Sequence, residues 1–384
     1  MQIRHFLLDE WLGQKLKPNS PIEYDLGSST GPVWTLRELL ALGPGNDLER
    51  LLNTKLFYTS ASGTLELRQA LAEANGVDPD DVQILTGAAE ALFLVFFASA
   101  ERNANVVLPS PGFPANDAMA ASLGLEIRSY NLRHENAFRV DLDEVRALVD
   151  HNTKLVLINS PHNPSGAVWP VAEMQTLHDF CAERGIQLVS DEVYHPIYHG
   201  VEGPSGAALP HATVLGDFSK ALCLSGLRVG WMIERNAKRR ERYTNARSYF
   251  TVSNTVLGEQ LAALAVRNRE AIYARARRVS SANLALLEKV FTDHSDLLDW
   301  VRPQGGMTAF PRLRDGSDAR PFCQLLAASG ILVSPGDCFG MPAHFRIGFA
   351  AASDQFPRAI NRFTEVLGQL VSGAARSSAS ESAG

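Results

Sequence analysis

The sequence predicts an α/β protein with a large three-layer α/β/α domain, built on a mostly parallel sheet, and a smaller α+β C-terminal domain. Short apolar runs bounded by turn residues alternate with helical patterns between about residues 80 and 235. Such alternation is typical of βα units around a sheet covered on both faces. The 384 residues, of which 45% are hydrophobic and 20% charged, suffice for two domains and are ordinary for a globular enzyme.

Five apolar runs are predicted as strands of the large sheet: 82–85, 105–108, 155–158, 186–189 and 214–215. Two more, 331–333 and 345–349, are predicted as strands of the C-terminal domain. Predicted helices include 91–98, 119–123 and 172–184, and a long helical stretch from about 253 to 290 leads away from the sheet.

These patterns divide the chain into four parts. Residues 1–45 are predicted as an N-terminal arm that joins the small domain, and 46–285 as the large domain. Residues 286–372 are predicted as the small C-terminal domain, and 373–384 as a disordered tail because they show no apolar pattern.

Composition and charge disfavour several classes of protein. A net charge of -6 argues against nucleic acid as a partner. The four cysteines are widely spaced, which favours free thiols over disulfides or zinc, and the spacing of His195 and His199 is more typical of a packed or solvated pair than of a metal site. No signal peptide or membrane-spanning run is recognised, so a cytoplasmic protein is expected.

Chemically distinctive residues follow the predicted strands, at the carboxyl ends where α/β sheets bind ligands. The first strand leads into Thr86, Gly87, Ala88 and Ala89, which open a helix. Backbone N–H groups at such a helix start bind phosphate well. A plain helix cap formed by Thr86 is the alternative interpretation.

The next three strands are followed by an aromatic ring, an amide and a carboxylate. Phe113 lies between prolines and suits stacking on a flat ring, while Asn163 lies in a turn rich in Pro and Gly. Asp191 ends an apolar strand, where a carboxylate is costly unless a partner such as a protonated ring nitrogen pairs with it. Core packing for Phe113 and turn formation for Asn163 are the alternatives.

Lys220 is the residue most typical of a covalent cofactor site. It ends Asp-Phe-Ser-Lys, directly after an apolar run at 212–216, where an amine is well placed to form a Schiff base with a carbonyl group. Arg228 follows eight residues later, and Arg346 lies in a further apolar run. The planar guanidinium group of arginine pairs bidentately with phosphate or carboxylate.

Together these segments resemble the fold-type I aminotransferases of class I and II, which use pyridoxal 5′-phosphate (PLP). The resemblance spans about residues 55–350 and follows the family's order. It rests on Tyr58, Gly63 and Leu-Arg at 67–68, on Asn-Pro-Ser-Gly at 163–166, and on Ser-Lys followed by Arg-x-Gly. Each pattern is short, but the set in this order is specific.

The resemblance implies roles for the catalytic residues. Lys220 is expected to form the Schiff base with PLP and then to act as general base at the substrate Cα. Asp191 is expected to contact the ring nitrogen of PLP and Tyr194 its phenolic oxygen. The other residues that it places around the cofactor are Gly87, Ala88, Ala89, Phe113, Asn163, Ser219 and Arg228.

The resemblance also concerns the substrate and a partner subunit. Arg346 is expected to bind the α-carboxylate of an amino acid, with Asn163 and Trp34 on the substrate side. Tyr58 is expected to reach the phosphate of PLP across a subunit interface, which predicts a homodimer. Arg247 is a candidate for binding a second substrate carboxylate.

Two segments depart from the family pattern. Asp217 stands three residues before Lys220, where the family usually has a serine that donates to the phosphate. A carboxylate there would repel a phosphate dianion unless it is protonated, bridged or turned away. The segment 25–34 also differs, and its Gly-Ser-Ser run is similar to that of capreomycidine synthases, which cyclise a hydroxyarginine with PLP.

The sequence therefore predicts a PLP-dependent aminotransferase that moves the amino group of an α-amino acid to a 2-oxo acid. The alternative is a PLP-dependent lyase or cyclase, because the same residues serve β- or γ-elimination, replacement and cyclisation. A PLP-sensing transcription regulator is disfavoured, because no basic DNA-binding segment precedes the PLP-binding motifs.

Overall fold

A seven-stranded sheet with helices on both faces forms the centre of the computed structural model, which describes residues 5–381. The strands are β1 (Tyr24–Asp25), β2 (Val82–Leu85), β3 (Asn105–Ser110), β4 (Glu126–Asn131), β5 (Thr153–Asn159), β6 (Gln187–Asp191), β7 (Ala212–Asp217), β8 (Gly230–Ile233), β9 (Leu298–Asp299), β10 (Thr308–Ala309), β11 (Arg312–Leu313), β12 (Ile331–Leu332), β13 (Ser334–Pro335) and β14 (Phe345–Gly348). The large sheet has the order β2-β8-β7-β6-β5-β3-β4. Within it, β8 runs antiparallel to both of its neighbours, and the other pairs are parallel.

The α/β fold class predicted from the sequence is confirmed. β2, β6 and β7 are buried along their whole length, as expected for strands covered on both faces. The prediction missed β4 and β8. β4 lies at the edge of the sheet and is polar and half-exposed, and β8 has four residues, so neither shows a long apolar run.

The helices are α1 (Leu7–Leu12), α2 (Leu36–Leu40), α3 (Asp47–Leu52), α4 (Leu65–Asn75), α5 (Ala88–Ser99), α6 (Pro114–Ser122), α7 (Leu142–Ala147), α8 (Val171–Glu183), α9 (Ala237–Arg247), α10 (Val256–Arg267), α11 (Arg269–Asp293), α12 (Arg320–Ala328) and α13 (Phe356–Glu381). The long helical stretch expected at 253–290 is divided in two at Asn268, a residue of low helix propensity whose backbone is not helical. No helix in the range 5–381 is long and apolar enough to cross a membrane.

The last helix differs from the prediction. α13 extends to Glu381, into the segment 373–384 that the sequence predicts as disordered, and residues 382–384 lie outside the described part of the chain. The prediction of disorder considered only the missing apolar pattern. It did not consider helix propensity, and the run from Gly373 onward is rich in alanine, the residue with the highest helix propensity.

The C-terminal part of the chain forms a second apolar cluster beside the large sheet. The strand order β10-β14-β13 forms a small antiparallel sheet there. β1 of the N-terminal segment pairs in parallel with β12, and the indole N–H of Trp11 donates to the carbonyl oxygen of Val333 at 2.6 Å. The N-terminal segment is therefore joined to the C-terminal part, while the predicted domain boundaries remain predictions.

Candidate active site

A cavity of about 330 Å³ lies at the carboxyl ends of β2, β3, β5, β6 and β7. β2 runs in the same direction as β7 because each pairs antiparallel with β8, so all five ends meet at one edge of the sheet. The structure brings most of the predicted site residues together around this cavity. Those lining it are Ala88, Ala89, Phe113, Asn163, Asp191, Tyr194, Ser219, Lys220, Arg228 and Arg346.

The start of α5 forms a cup of hydrogen-bond donors, which we call the anion cup. Gly87 precedes the helix with φ of +82°, a conformation that glycine adopts without strain. A Cβ atom on Gly87 would lie 3.0 Å from Nη2 of Arg228 and 3.1 Å from Oδ2 of Asp217. The backbone N–H groups of Ala88 and Ser219 and the guanidinium of Arg228 define the cup. Such a donor set suits a phosphate group.

The carboxylate of Asp217 occupies the anion cup. Its Oδ2 accepts a hydrogen bond from the N–H of Ala88 at 2.7 Å, and its Oδ1 accepts one from the N–H of Ser219. Arg228 donates to the hydroxyl oxygen of Ser219 at 3.3 Å. The cup thus fits an anion, and here the side chain of Asp217 is that anion.

Asp191 is a buried carboxylate at the end of β6. Its burial, together with the negative charges of Asp217 and Glu192, raises its pKa to about 7. The N–H of Val193 donates to it at 3.2 Å, and no ion pair with it is found within the described residues. The protonated nitrogen of a pyridine ring would supply the missing cation, so this position fits the ring of PLP.

Lys220 and Tyr194 both contact Ser29 of the N-terminal segment. Nζ of Lys220 donates to the hydroxyl oxygen of Ser29 at 2.8 Å, and the phenolic O–H of Tyr194 donates to the carbonyl oxygen of Ser29 at 3.1 Å. Sequence reasoning assigned no role to Ser29, because a Gly-Ser-Ser run carries no signal of a contact nearly 200 residues away. An amine in this cavity is placed to react with a carbonyl carbon.

Arg346 lies on β14 and is buried. Its Nη1 donates to Oδ1 of Asn163 at 3.0 Å and its Nη2 to the carbonyl oxygen of Gly27 at 2.8 Å. Nε has no partner among the described residues, and burial lowers the pKa of the guanidinium. A carboxylate entering the cavity would supply both negative charge and an acceptor, so the site fits an α-amino acid.

The N-terminal helix forms a wall of the cavity that sequence reasoning missed. Phe6 packs edge-to-face on Phe113, with ring centroids 5.9 Å apart, and Leu8, Asp9 and Leu12 line the cavity beside it. α1 has six residues, too few for a periodic apolar pattern to reveal it.

Besides Gly87, which lies behind the anion cup, three predicted residues do not line the cavity. Tyr58 is 75% exposed on the surface of the single chain. Contrary to the prediction, Trp34 lies outside the cavity, because its ring packs against the guanidinium of Arg275 at 4.5 Å. Arg247 is not a candidate for binding substrate, because it is buried elsewhere and pairs with Glu90 at 3.2 Å.

The sequence and the fold are similar to those of known PLP enzymes. The family profile described as aminotransferase class I and II matches residues 32–363. Capreomycidine synthase of Streptomyces vinaceus is 32% identical over 96% of this chain and 95% of its own length. A PLP-dependent aminotransferase from Streptococcus suis superposes with a TM-score of 0.89 at 27% identity, covering 96% of this chain and 99% of its own. The PLP-dependent cyclase OrfR superposes with a TM-score of 0.86 at 26% identity, covering 96% and 98%.

Proposed function

Because the chain belongs to the class I and II aminotransferase family, whose members depend on PLP, we propose that it transfers the amino group of an α-amino acid to a 2-oxo acid. The observation that carries this proposal is the convergence of Lys220, Asp191 and Arg346 on one cavity. These three groups suit a carbonyl cofactor, its ring nitrogen and a substrate carboxylate, respectively.

The chain's own residues bind and orient the reactants. When bound, PLP supplies an electrophilic carbonyl carbon and an electron sink for the negative charge that develops at Cα. Asp191 would pair as a carboxylate with the protonated ring nitrogen, and the anion cup would hold the phosphate group. When the substrate amine takes the place of the Lys220 amine, the amine of Lys220 would be free to accept the Cα proton as general base.

Arg346 and Asn163 set the orientation of the substrate. The guanidinium of Arg346 binds the α-carboxylate, and its contact with Asn163 fixes the plane of the guanidinium. Binding the carboxylate at Arg346 would hold the substrate in the cavity that Lys220 also lines, where proton transfer is to take place.

A PLP-dependent lyase or cyclase is the second candidate function. It is supported by the relative of 32% identity, which is named capreomycidine synthase and matches 96% of this chain. It is also supported by Asp217, which departs from the usual aminotransferase pattern. Cleavage of the Cα–H bond by Lys220 is common to both candidates.

The visible absorption spectrum of the protein with PLP, recorded before and after a panel of α-amino acids is added, tests the proposal. We expect a band from the covalently bound cofactor, which donor amino acids bleach and 2-oxo acids restore. Ammonia release without an amino acceptor would assign the lyase instead, and consumption of the amino acid with neither an acceptor nor ammonia release would assign the cyclase. A protein that binds no PLP would overturn both candidates.

The same assay with Arg346→Gln tests the substrate class. We expect kcat/KM for the donor amino acid to fall by on the order of 10²-fold or more, because a charged partner of the α-carboxylate is lost from a buried site. The rate with an amine that lacks a carboxylate should not change. Arg362→Gln is the control, because Arg362 is 53% exposed and pairs with Glu365 on the surface.

We further propose a homodimer formed through the surface around Tyr58. Leu52, Leu56 and Phe57 are 70%, 79% and 79% exposed, and the ring of Phe57 lies 5.8 Å from that of Tyr58. An exposed apolar patch of this kind is typical of an interface.

We expect the wild-type protein to sediment at twice the chain mass of 41.9 kDa. Phe57→Asp should give monomers that bind PLP more weakly, because Tyr58 then no longer reaches the phosphate bound by the partner subunit. A monomeric wild-type protein with full activity would contradict the proposal.

A further inference from the structure

The hydroxyl group of Ser29 is the hydrogen-bond partner of the free Lys220 amine. The two atoms are 2.8 Å apart, and Ser29 and Lys220 line the same cavity. No other acceptor for this amine is found within residues 5–381. The contact joins two parts of the chain that are 191 residues apart, so it depends on how the N-terminal segment is placed.

The segment around Ser29 is rigidly held. Oδ1 of Asp25 accepts hydrogen bonds from the N–H groups of Gly27 and Ser28, each at 3.0 Å. The carbonyl oxygen of Leu26 accepts from the N–H of Gly348 at 2.7 Å. Gly348 has no room for a side chain, because a Cβ atom would lie 1.8 Å from the carbonyl oxygen of Ser28. These contacts hold the backbone that leads into Ser29 against β14.

Lysine needs such a partner when its amine is free. Its four-carbon stem is flexible, and the N–H groups of its amine, three when protonated and two when neutral, rotate freely about the Cε–Nζ bond. A general base is effective only when it is held about 3–3.5 Å from the atom that loses its proton. The Ser29 hydroxyl supplies such a partner, because Nζ of Lys220 donates to its oxygen at 2.8 Å.

We propose that Ser29 is a positioning residue that holds the released amine of Lys220 for proton transfer at Cα. This inference rests on the proposed function, in which the substrate amine displaces that of Lys220. The carbonyl oxygen of the same residue accepts the hydrogen bond of Tyr194. Ser29 therefore aligns the base through its hydroxyl group and the phenol through its carbonyl oxygen, and within residues 5–381 the only hydrogen-bond partner of its hydroxyl group is Lys220.

Three variants test this role. Ser29→Ala removes the acceptor, Ser29→Thr keeps a hydroxyl group, and Ser28→Ala is the matched control, because the Ser28 hydroxyl lies 2.9 Å from that of Thr30. For Ser29→Ala we expect the band of bound PLP and the KM to be retained, and kcat to fall about 10–100-fold, the effect of a misplaced reacting group. The isotope effect on kcat with Cα-deuterated substrate should rise. Ser29→Thr should restore kcat to within a few-fold of the wild-type value. Ser28→Ala should have the kcat of wild type.

A second measurement does not depend on turnover. The cofactor-free protein should capture PLP covalently about tenfold more slowly as Ser29→Ala than as wild type, because the amine is no longer oriented toward the cavity. Ser29→Cys, which keeps the side-chain volume with a weaker acceptor, serves where Ser29→Ala does not fold and should show the same loss.

Several outcomes would overturn the positioning role. They are an unchanged kcat in Ser29→Ala, a loss confined to KM, an isotope effect that does not rise, or equal losses in Ser28→Ala and Ser29→Ala. A wild-type protein that shows no band with PLP would instead overturn the proposed function, so the two failures are distinguishable.

Discussion

Lys220→Ala is expected to abolish turnover while leaving the protein folded. The substitution removes both the group that binds the cofactor covalently and the base at Cα, so the rate should fall by about 10⁴-fold or more. Its side chain lines a cavity and makes one hydrogen bond, to Ser29, so the apolar core is not disturbed. The measurement is formation of 2-oxo acid at saturating PLP and donor, with thermal unfolding recorded in parallel.

Lys154→Ala is the control for this experiment. The ammonium of Lys154 pairs with Glu101 at 2.7 Å near the surface, and its loss should leave turnover as in wild type. Transamination by Lys220→Ala at close to the wild-type rate would contradict the assignment of the lysine and with it the mechanism.

Asp191→Asn should have opposite effects on activity and on the stability of the cofactor-free protein. An amide cannot hold the ring nitrogen protonated, so kcat should fall by about 10³-fold or more. Without cofactor, however, the wild-type carboxyl has a pKa raised to about 7 from its usual 3.8, chiefly by burial. Ionising this buried carboxyl group above the usual pKa costs free energy in the folded state, and an asparagine, which does not ionise, avoids that cost.

The sign of the pH dependence follows from that pKa. Between about pH 4 and pH 7 the folded protein keeps a proton that the unfolded chain has lost, so the free energy of unfolding falls as pH rises through this window and is level above it. At pH 8, Asp191→Asn without PLP should therefore be more stable than wild type, by at most on the order of 4 kcal/mol. At pH 4 the two proteins should have equal free energies of unfolding. Addition of PLP should stabilise the wild type more than Asp191→Asn.

Asp150→Asn is a control of opposite sign. Hydrogen bonds, first among them that from Asn105, lower the pKa of Asp150, so replacing it should reduce stability at pH 8. The measurement is thermal unfolding from pH 4 to pH 8, with and without PLP. If Asp191→Asn without cofactor were no more stable than wild type at pH 8, Asp191 would not be the costly buried carboxylate described above.

Five strands of the large sheet and the residues at their carboxyl ends were predictable from the sequence because each signal is local. A buried parallel strand is a short apolar run, and the residue after it lies at the carboxyl edge by geometry alone. Asp191 after β6 and Lys220 after β7 both follow this rule. Their convergence required only that the strands be parallel neighbours, which α/β alternation indicates.

The remaining parts of the site depend on contacts between distant segments. Ser29 and the N-terminal wall reach the cavity because β1 pairs with β12 far along the chain, and no local pattern encodes that pairing. Trp34 lies in the same segment, but its ring packs on Arg275 outside the cavity. The prediction that this segment lies near the site therefore did not determine which way the side chain of Trp34 points.

Asp217 gives the cofactor-free protein a tethered substitute for phosphate. A carboxylate attached to the cup acts at an effective concentration in the millimolar range or above, so an incoming phosphate group has to displace it rather than enter a vacant site. The N–H groups of Ala88 and Ser219 stay paired whether or not cofactor is present, which removes a cause of local unfolding at the start of α5. The carboxylate of Asp217 and the phosphate of a bound cofactor would therefore compete for the same N–H groups, so removing the carboxylate is expected to raise the affinity for PLP.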